Sequence, residues 1–277
     1  MIKSPVVVLS QNNPKNLFKC LDSLKNQIED REVFFFIDGP RTREDQMLIQ
    51  QSINLCQSKI PNMKINASQQ YISYPNLLKR AKESVYETNE TAIFVSENSV
   101  LNNYYLNQLD DLYSKLKEVG NIGIVNLYSG EDMDLEEQEL NYNKLVPCMN
   151  NISYLMPRDS YDIIFNDLQD YFKILSQHNG VVPVRQVRYE WSKFGVGDRI
   201  TGTIEDAITV YMLKNGLNKV STFTNNLEII DSGVSTVFNR KVSDYEISES
   251  KLNLIKKDLE SYYFSNKDYR DFEVKLG

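Results

Sequence analysis

Thr91-Ala92-Ile93-Phe94-Val95-Ser96-Glu97-Asn98-Ser99 is an apolar run that breaks off into a serine, a carboxylate and an amide. Apolar residues without alternation predict a strand covered on both faces, as in the parallel sheets of α/β proteins. Such sheets bind ligands beyond the carboxyl ends of their strands. The polar residues Ser96, Glu97 and Asn98 therefore fall where a small polar ligand would dock. The stretch from Asn103 to Val119 reads as the helix that follows.

Towards the amino end the same alternation repeats. Pro5 to Leu9 and Glu32 to Ile37 are β-branched or aromatic runs that predict two buried strands, and Met63 to Ala67 predicts a shorter one. Between them, Asn13-Pro14 opens a helix with Leu17, Phe18, Leu21 and Leu24 on one face, and Arg43 to Ser58 reads as a second helix. Pro75 starts a third, with Leu77, Leu78, Ala81, Val85 and Tyr86 aligned. Strands alternating with helices of this length imply an α/β fold with a mostly parallel central sheet and helices on both faces.

Towards the carboxyl end, Ile122 to Tyr128 and Ile152 to Met156 predict strands, and Pro157 to Leu175 a helix. The acidic stretch Gly130 to Glu139 reads as a solvated loop. Val181 to Gly197 reads as irregular and holds three aromatics, Tyr189, Trp191 and Phe194. A helix begins at Thr203, and a last one, Glu249 to Phe264, is expected over the outside of the sheet.

With 277 residues, 41% of them hydrophobic, and no Pro/Gly/Ser-rich linker, the expected organisation is one domain over 1–277. Within it, 1–128 forms a ligand-binding half, 144–240 a second half and 245–277 a helical appendage. A net charge of −7 with dispersed Lys and Arg argues against nucleic acid. No apolar run approaches the roughly 20 residues needed to cross a bilayer, and the expected location is cytoplasmic, with peripheral attachment at the inner membrane as an option. Cys20, Cys56 and Cys148 fit buried thiols of a reducing compartment.

Four polar points close strands or open a helix: Ser10-Gln11-Asn12, Asp38-Gly39, Ser96-Glu97-Asn98 and Glu205-Asp206. Each has an ordinary structural explanation. Asp38-Gly39-Pro40 makes a turn, Asn98 or Ser99 caps the next helix, and Thr203-Ile204-Glu205-Asp206 matches a capping box in which Asp206 reaches back to the Thr203 amide. Their joint order carries more than any one alone.

That order, with the local wording, resembles the glycosyltransferases of the GT-A fold, in particular bacterial family-2-like sugar transferases of the nucleotide-diphospho-sugar transferase superfamily. Ser4 to Pro14 looks like the family's first strand and N-R-P turn, and Phe36-Ile37-Asp38-Gly39-Pro40-Arg41 is similar to its A-D-G-P-R segment. Ile93 to Asn98 stands where these proteins carry I-x-L-E-D-D. Thr203-Ile204-Glu205 with Tyr211 to Gly216 resembles T-W-D…Y-x-x-W-x-N-G, and Asn226-Leu227 through Ser232-Gly233 resembles N-L-V-x-N-I-G. The resemblance spans Pro5 to about Thr236.

It implies transfer of a sugar from a nucleotide-diphospho-sugar, a UDP-sugar first, to a hydroxyl of a glycan or lipid-linked acceptor in bacterial surface glycan synthesis, by an inverting mechanism. By the same resemblance Ser10, Gln11, Asn12, Asp38, Gly39, Arg41, Glu97 and Asn98 hold the nucleotide sugar, Glu97 is the ligand of a divalent metal (Mn or Mg), and Glu205 is the base with Asp206 beside it. The metal motif is degraded, because Ser96-Glu97-Asn98 keeps one carboxylate and Val234-Ser235-Thr236 stands where the family has T-H-T. Arg185, Arg188, Arg199, Arg240 and Lys241 are candidate cations in place of a metal. His178 reads as a surface residue, and the three aromatics as either an acceptor platform or core packing. Two readings compete with transfer. One is a catalytically inactive sugar-nucleotide- or glycan-binding relative. The other is a nucleotidyltransferase, for which the Gly-rich phosphate loop after the first strand is missing.

Overall fold

A computed structural model describes residues 3–178, 183–193, 195–196, 200–230 and 236–264. Four parallel strands, β1 (Val6–Ser10), β2 (Val33–Ile37), β3 (Lys64–Ala67) and β4 (Thr91–Ser96), are joined by α1 (Pro14–Leu24), α2 (Arg43–Lys59) and α3 (Tyr74–Tyr86). The runs Val-Val-Val-Leu-Ser and Val-Phe-Phe-Phe-Ile are buried at every position. Asn13 caps α1 through the amide of Asn16, and Thr42 with Asp45 forms a reciprocal capping box on α2.

The chain continues through β5 (Ser99–Leu101), α4 (Tyr105–Leu116), β6 (Ile122–Asn126), α5 (Leu135–Leu140), β7 (Leu145–Pro147) and β8 (Ser153–Pro157). It ends with α6 (Arg158–Ser176), α7 (Val184–Ser192), α8 (Ile204–Lys214), β9 (Asn218–Thr222), β10 (Leu227–Ile229) and α9 (Glu249–Tyr263). Among the described residues eight strands form one sheet in the order β3-β2-β1-β4-β8-β6-β9-β7, and β10 pairs with β5 in a small antiparallel ribbon. Among the described residues of this sheet, only β8 and β7 run against their neighbours. The expected α/β architecture, a mainly parallel sheet flanked by helices, is therefore what the chain adopts.

The strand order sets the position of the site. From β1 the chain steps outward to β2 and β3, then crosses back to β4 on the other side of β1. Right-handed crossovers put α1 and α2 on one face and α3 on the other. The carboxyl ends of β1 and β4 thus flank the point where the order reverses, the place where open sheets form a ligand crevice.

Four readings of local structure need correction. Ser99 does not cap a helix: it opens β5, and α4 begins at Tyr105 without a side-chain cap. The stretch Val181 to Gly197 contains a helix, α7, because Val187 and Trp191, four residues apart, face the core. The acidic stretch holds the short helix α5, capped by Asp134 and pinned by buried Gln138, which accepts from the Asn225 amide (2.8 Å) and donates to the Thr236 carbonyl (3.1 Å). Asp206 reaches past Thr203. Its carboxylate accepts from the amides of Thr201 and Gly202 and from the Thr201 hydroxyl, while the Thr203 hydroxyl accepts from the Asp206 amide.

Helix α9 lies against β9 and β7 with Leu252, Ile255 and Leu259 buried. All three cysteines are buried and unpaired.

Candidate functional site

A cavity of about 360 Å³ opens at the carboxyl ends of β1 and β2. The turn after β1 contributes Gln11 and Asn12, and the turn after β2 contributes Asp38, Gly39, Arg41 and Thr42. Tyr71, from the loop between β3 and α3, and Tyr74, the first residue of α3, complete the wall together with Asp45 of α2. Five residues expected from the sequence thus share one cavity: Gln11, Asn12, Asp38, Gly39 and Arg41.

Hydrogen bonds lock these turns together. Asp38 Oδ1 accepts from the amides of Gly39 (2.7 Å) and Ile72 (2.8 Å), tying the end of β2 to the loop before α3. Among the described residues Oδ2 has no partner and remains available to a ligand. Asp45 accepts from the amides of Arg41 (3.0 Å) and Thr42 (3.1 Å) and from the Asn12 side chain (2.6 Å). The bond from the Arg41 amide, first among these, holds its carboxyl below the usual range. The Arg41 guanidinium stacks over Tyr71, 3.8 Å from the ring centre. The cavity therefore offers a carboxylate, a fixed cation and an aromatic face.

Ser73, buried beside this wall, has φ 76° and ψ 153°, a region that residues other than glycine rarely enter and that costs about 1–3 kcal/mol. Strain of that size marks a conformation imposed by its surroundings.

Glu97 lies behind the cavity wall rather than in it. It is buried, and its Oε2 accepts from the Ser10 hydroxyl (2.5 Å) and the Asn13 amide (3.4 Å), while Oε1 accepts from the Gln11 amide (3.0 Å). Burial drives its pKa up and these bonds oppose the shift. Asn98 Oδ1 accepts from Asn16 Nδ2 (2.9 Å), and the Ser96 hydroxyl accepts from the Asn98 amide (3.3 Å). A Mn²⁺ or Mg²⁺ wants several free oxygen ligands. The oxygens of Ser96, Glu97 and Asn98 are instead turned into the chain's own loops, and among the described residues no cluster of three or more His, Cys, Asp or Glu could hold a metal. The residues present do not fit the metal that the sequence motif implies. Ser10 shares Glu97's position and braces it.

The Tyr74 hydroxyl leads from the cavity to Glu205. Burial raises its pKa first, and the nearby Glu205 carboxylate in the first turn of α8 adds to the rise. Desolvation also raises the Glu205 carboxyl; its own amide and the Thr203 hydroxyl oppose the rise first, Asp206 adds to it, and Lys82 opposes it to a smaller extent. Asp206 is a neighbour committed to Thr201 and Gly202.

None of the described alternative cations lines the cavity. Arg188 donates to the Ile200 carbonyl (2.7 Å), Arg240 lies over Tyr142, Lys241 pairs with Asp111 (3.5 Å) and Arg185 is exposed on α7. Arg199, Phe194, Val234 and Ser235 lie outside the described residues. Trp191 is core, stacked on Tyr171 at 6.2 Å, whereas Tyr189 is exposed beneath Lys193. His178 is a surface residue bonded to Gln186. Sequence reasoning missed Tyr71 and Tyr74. Two tyrosines placed directly after a predicted strand and before a helix-starting proline were the available signal.

No protein-family model and no curated protein matches the sequence. Among solved structures, the chain is similar to S. aureus TarS 1-349 in complex with UDP-GlcNAc, with a TM-score of 0.50 and 11% identity over 100% of this chain and 76% of that one. It is also similar to the mannosyltransferase PcManGT from Pyrobaculum calidifontis in complex with GDP-Man and Mn²⁺ (TM-score 0.40, 12% identity, 58% of this chain). GalNAc-T7 with UDP, GalNAc and Mn²⁺ matches 88% of this chain (TM-score 0.48, 10% identity). This chain covers 46% and 44% of the latter two. The fold is a divergent GT-A fold. No helix among the described residues is long and apolar enough to cross a membrane.

Proposed function

We propose that the protein is a glycosyltransferase that takes a sugar from a nucleotide-diphospho-sugar, with UDP the leading nucleotide, and passes it to a hydroxyl of a bacterial surface glycan or its lipid-linked precursor. The observation that supports this most is the cavity at the carboxyl ends of β1 and β2, which Asp38, Arg41 and Tyr71 line and from which Tyr74 leads towards Glu205.

In this reading the nucleoside lies against Asp38, Gly39 and Tyr71. Arg41 faces the diphosphate, because a guanidinium donates two parallel hydrogen bonds to phosphate oxygens. The acceptor oxygen attacks the anomeric carbon as the bond from that carbon to the diphosphate oxygen breaks. The bonding pair leaves on the diphosphate, the acceptor proton passes to the Glu205 carboxylate, and configuration inverts. Ser10 and Glu97 hold the turn after β1 in shape, and no metal takes part.

Calorimetry with UDP and UDP-sugars tests this reading. Binding is expected in EDTA, with addition of Mn²⁺ changing the affinity by less than about threefold, under 1 kcal/mol. Asp38→Ala is expected to weaken binding at least about tenfold. Absence of binding by every nucleotide tried would end the proposal. Strict Mn²⁺ dependence would overturn its metal-free form. Binding without sugar transfer to any acceptor would favour the inactive relative, a reading that the closed Ser96-Glu97-Asn98 segment also supports.

A further inference from the structure

Lys82 is a buried charged residue outside the cavity. It sits in the third turn of α3 and is 1% exposed. Its Nζ lies 3.1 Å from the Met156 sulfur and between three rings, 5.2 Å from the centre of Phe94, 5.4 Å from Tyr161 and 5.5 Å from Tyr154. Among the described residues no carboxylate is within ion-pair distance. A buried ammonium with sulfur and aromatic faces alone bears a heavy desolvation cost, and that cost needs a reason.

The setting supplies one. Tyr74, Leu78 and Lys82 follow each other at four-residue intervals, so they share a face of α3, and helical side chains lean towards the amino end of their helix. Lys82 therefore stands on the face of α3 that carries Tyr74, with its Nζ among the rings of β4, β8 and α6. Lys82 also lines one apolar cleft with Ile204 and Ile208 of α8, and Ile204 is the residue before Glu205. Each charge moves the other: Glu205 is the one group that draws the Lys82 proton affinity upward, and Lys82 draws the Glu205 carboxyl downward.

We propose that Lys82 is a positioning residue for Glu205, an ammonium held in an aromatic box behind the carboxylate that keeps it ionised and able to accept a proton. This rests on Glu205 as the base of the reading above.

The other groups facing the pair are known. On α3 and β8 they are the hydroxyls of Tyr74, Tyr86 and Tyr154, and on α6 those of Tyr161 and Tyr171, all of which stay neutral because burial raises their pKa. On α8 Asp206 pushes Glu205 upward. On β9 Lys219, buried and bonded to the Thr209 hydroxyl (2.5 Å), adds a second positive field. Burial lowers the Lys82 pKa to about 7. Below that pH the ammonium is present and protects the Glu205 carboxylate from protonation. Above it the charge fades. Loss of Lys82 therefore acts below that pH.

The test follows ¹³C-carboxyl-labelled glutamate by NMR, with the Glu205 signal assigned by its loss in Glu205→Gln. In Lys82→Met the Glu205 titration is expected to move up by about one pH unit or more. The acidic limb of kcat/KM should move with it, so that transfer falls about tenfold for each pH unit below the new midpoint. Nucleotide affinity should stay at the wild-type value, which reports an intact fold, and Lys82→Arg should bring the titration back towards wild type. An unchanged Glu205 titration in Lys82→Met would overturn the proposal. Should Lys82→Met fail to fold, the reciprocal measurement decides. The Lys82 Nζ titration must drop in Glu205→Gln, and no drop refutes the pairing. Wild-type protein that transfers no sugar would end the transferase reading, whereas the two titrations would still decide whether Lys82 and Glu205 act on each other.

Discussion

Glu205→Gln is expected to slow sugar transfer by about 10² to 10⁴-fold, the usual contribution of a positioned general base, while nucleotide affinity stays within about twofold of wild type. The amide keeps the shape of the side chain and its place in the first turn of α8, but it cannot take the acceptor proton. Glu205 contacts the cavity through Tyr74, so the nucleotide half of the site is left intact. Steady-state kinetics with calorimetry alongside separate the two effects. Equal losses in binding and turnover would make Glu205 a structural residue, and an unaffected rate would move the base elsewhere. Asp206 is the less suitable substitute, because its carboxylate holds the turn at Thr201 and Gly202.

Gly39→Ala is expected to empty the site from the opposite side. A Cβ at this position would lie 2.1 Å from the backbone carbon of Gln70 and 2.2 Å from its oxygen, so the loops after β2 and β3 must part. Parting them breaks the bond from the Ile72 amide to Asp38 and separates Arg41 from Tyr71, the two contacts that shape the cavity. Overpacking of this kind costs about 1–3 kcal/mol of stability, and nucleotide affinity should fall at least about tenfold. Gly120→Ala is the control. Its Cβ would meet the movable tip of Leu252 at 3.0 Å and the Asn218 side-chain amide at 3.6 Å, far from the site. Chemical denaturation and calorimetry on both variants check the contrast, and a Gly39→Ala protein that binds nucleotide normally would show that the close approach does not shape the site.

The parts of the fold that were legible in the sequence are those whose strands are apolar on both faces. Val6 to Leu9, Val33 to Ile37 and Thr91 to Val95 could face nothing but core, and the helices between them show clear one-sided patterns. β9 was not legible, since four of the five residues of Asn218-Lys219-Val220-Ser221-Thr222 are polar although every one is buried. Its lysine is held by the Thr209 hydroxyl of another element.

The site divides in the same way. Asp38-Gly39-Pro40-Arg41 was visible because a turn after a buried strand needs those residue types, and Gln11 and Asn12 follow from the strand before them. Sequence shows that Glu97 stands at the end of β4, but not that its oxygens turn inward to the Ser10 hydroxyl and the loop amides. The neighbours of Lys82 come from four elements, and its place on α3 looks like any surface lysine until those elements pack.

A crystal structure of the protein with a non-hydrolysable UDP-sugar, grown in the presence of EDTA, tests the central claim most directly. The account predicts the nucleoside against Asp38 and Tyr71, the diphosphate at Arg41 with no metal, and the anomeric carbon turned towards Glu205. A nucleotide bound elsewhere, or one seated only when Mn²⁺ joins it to a reoriented Glu97, would contradict it.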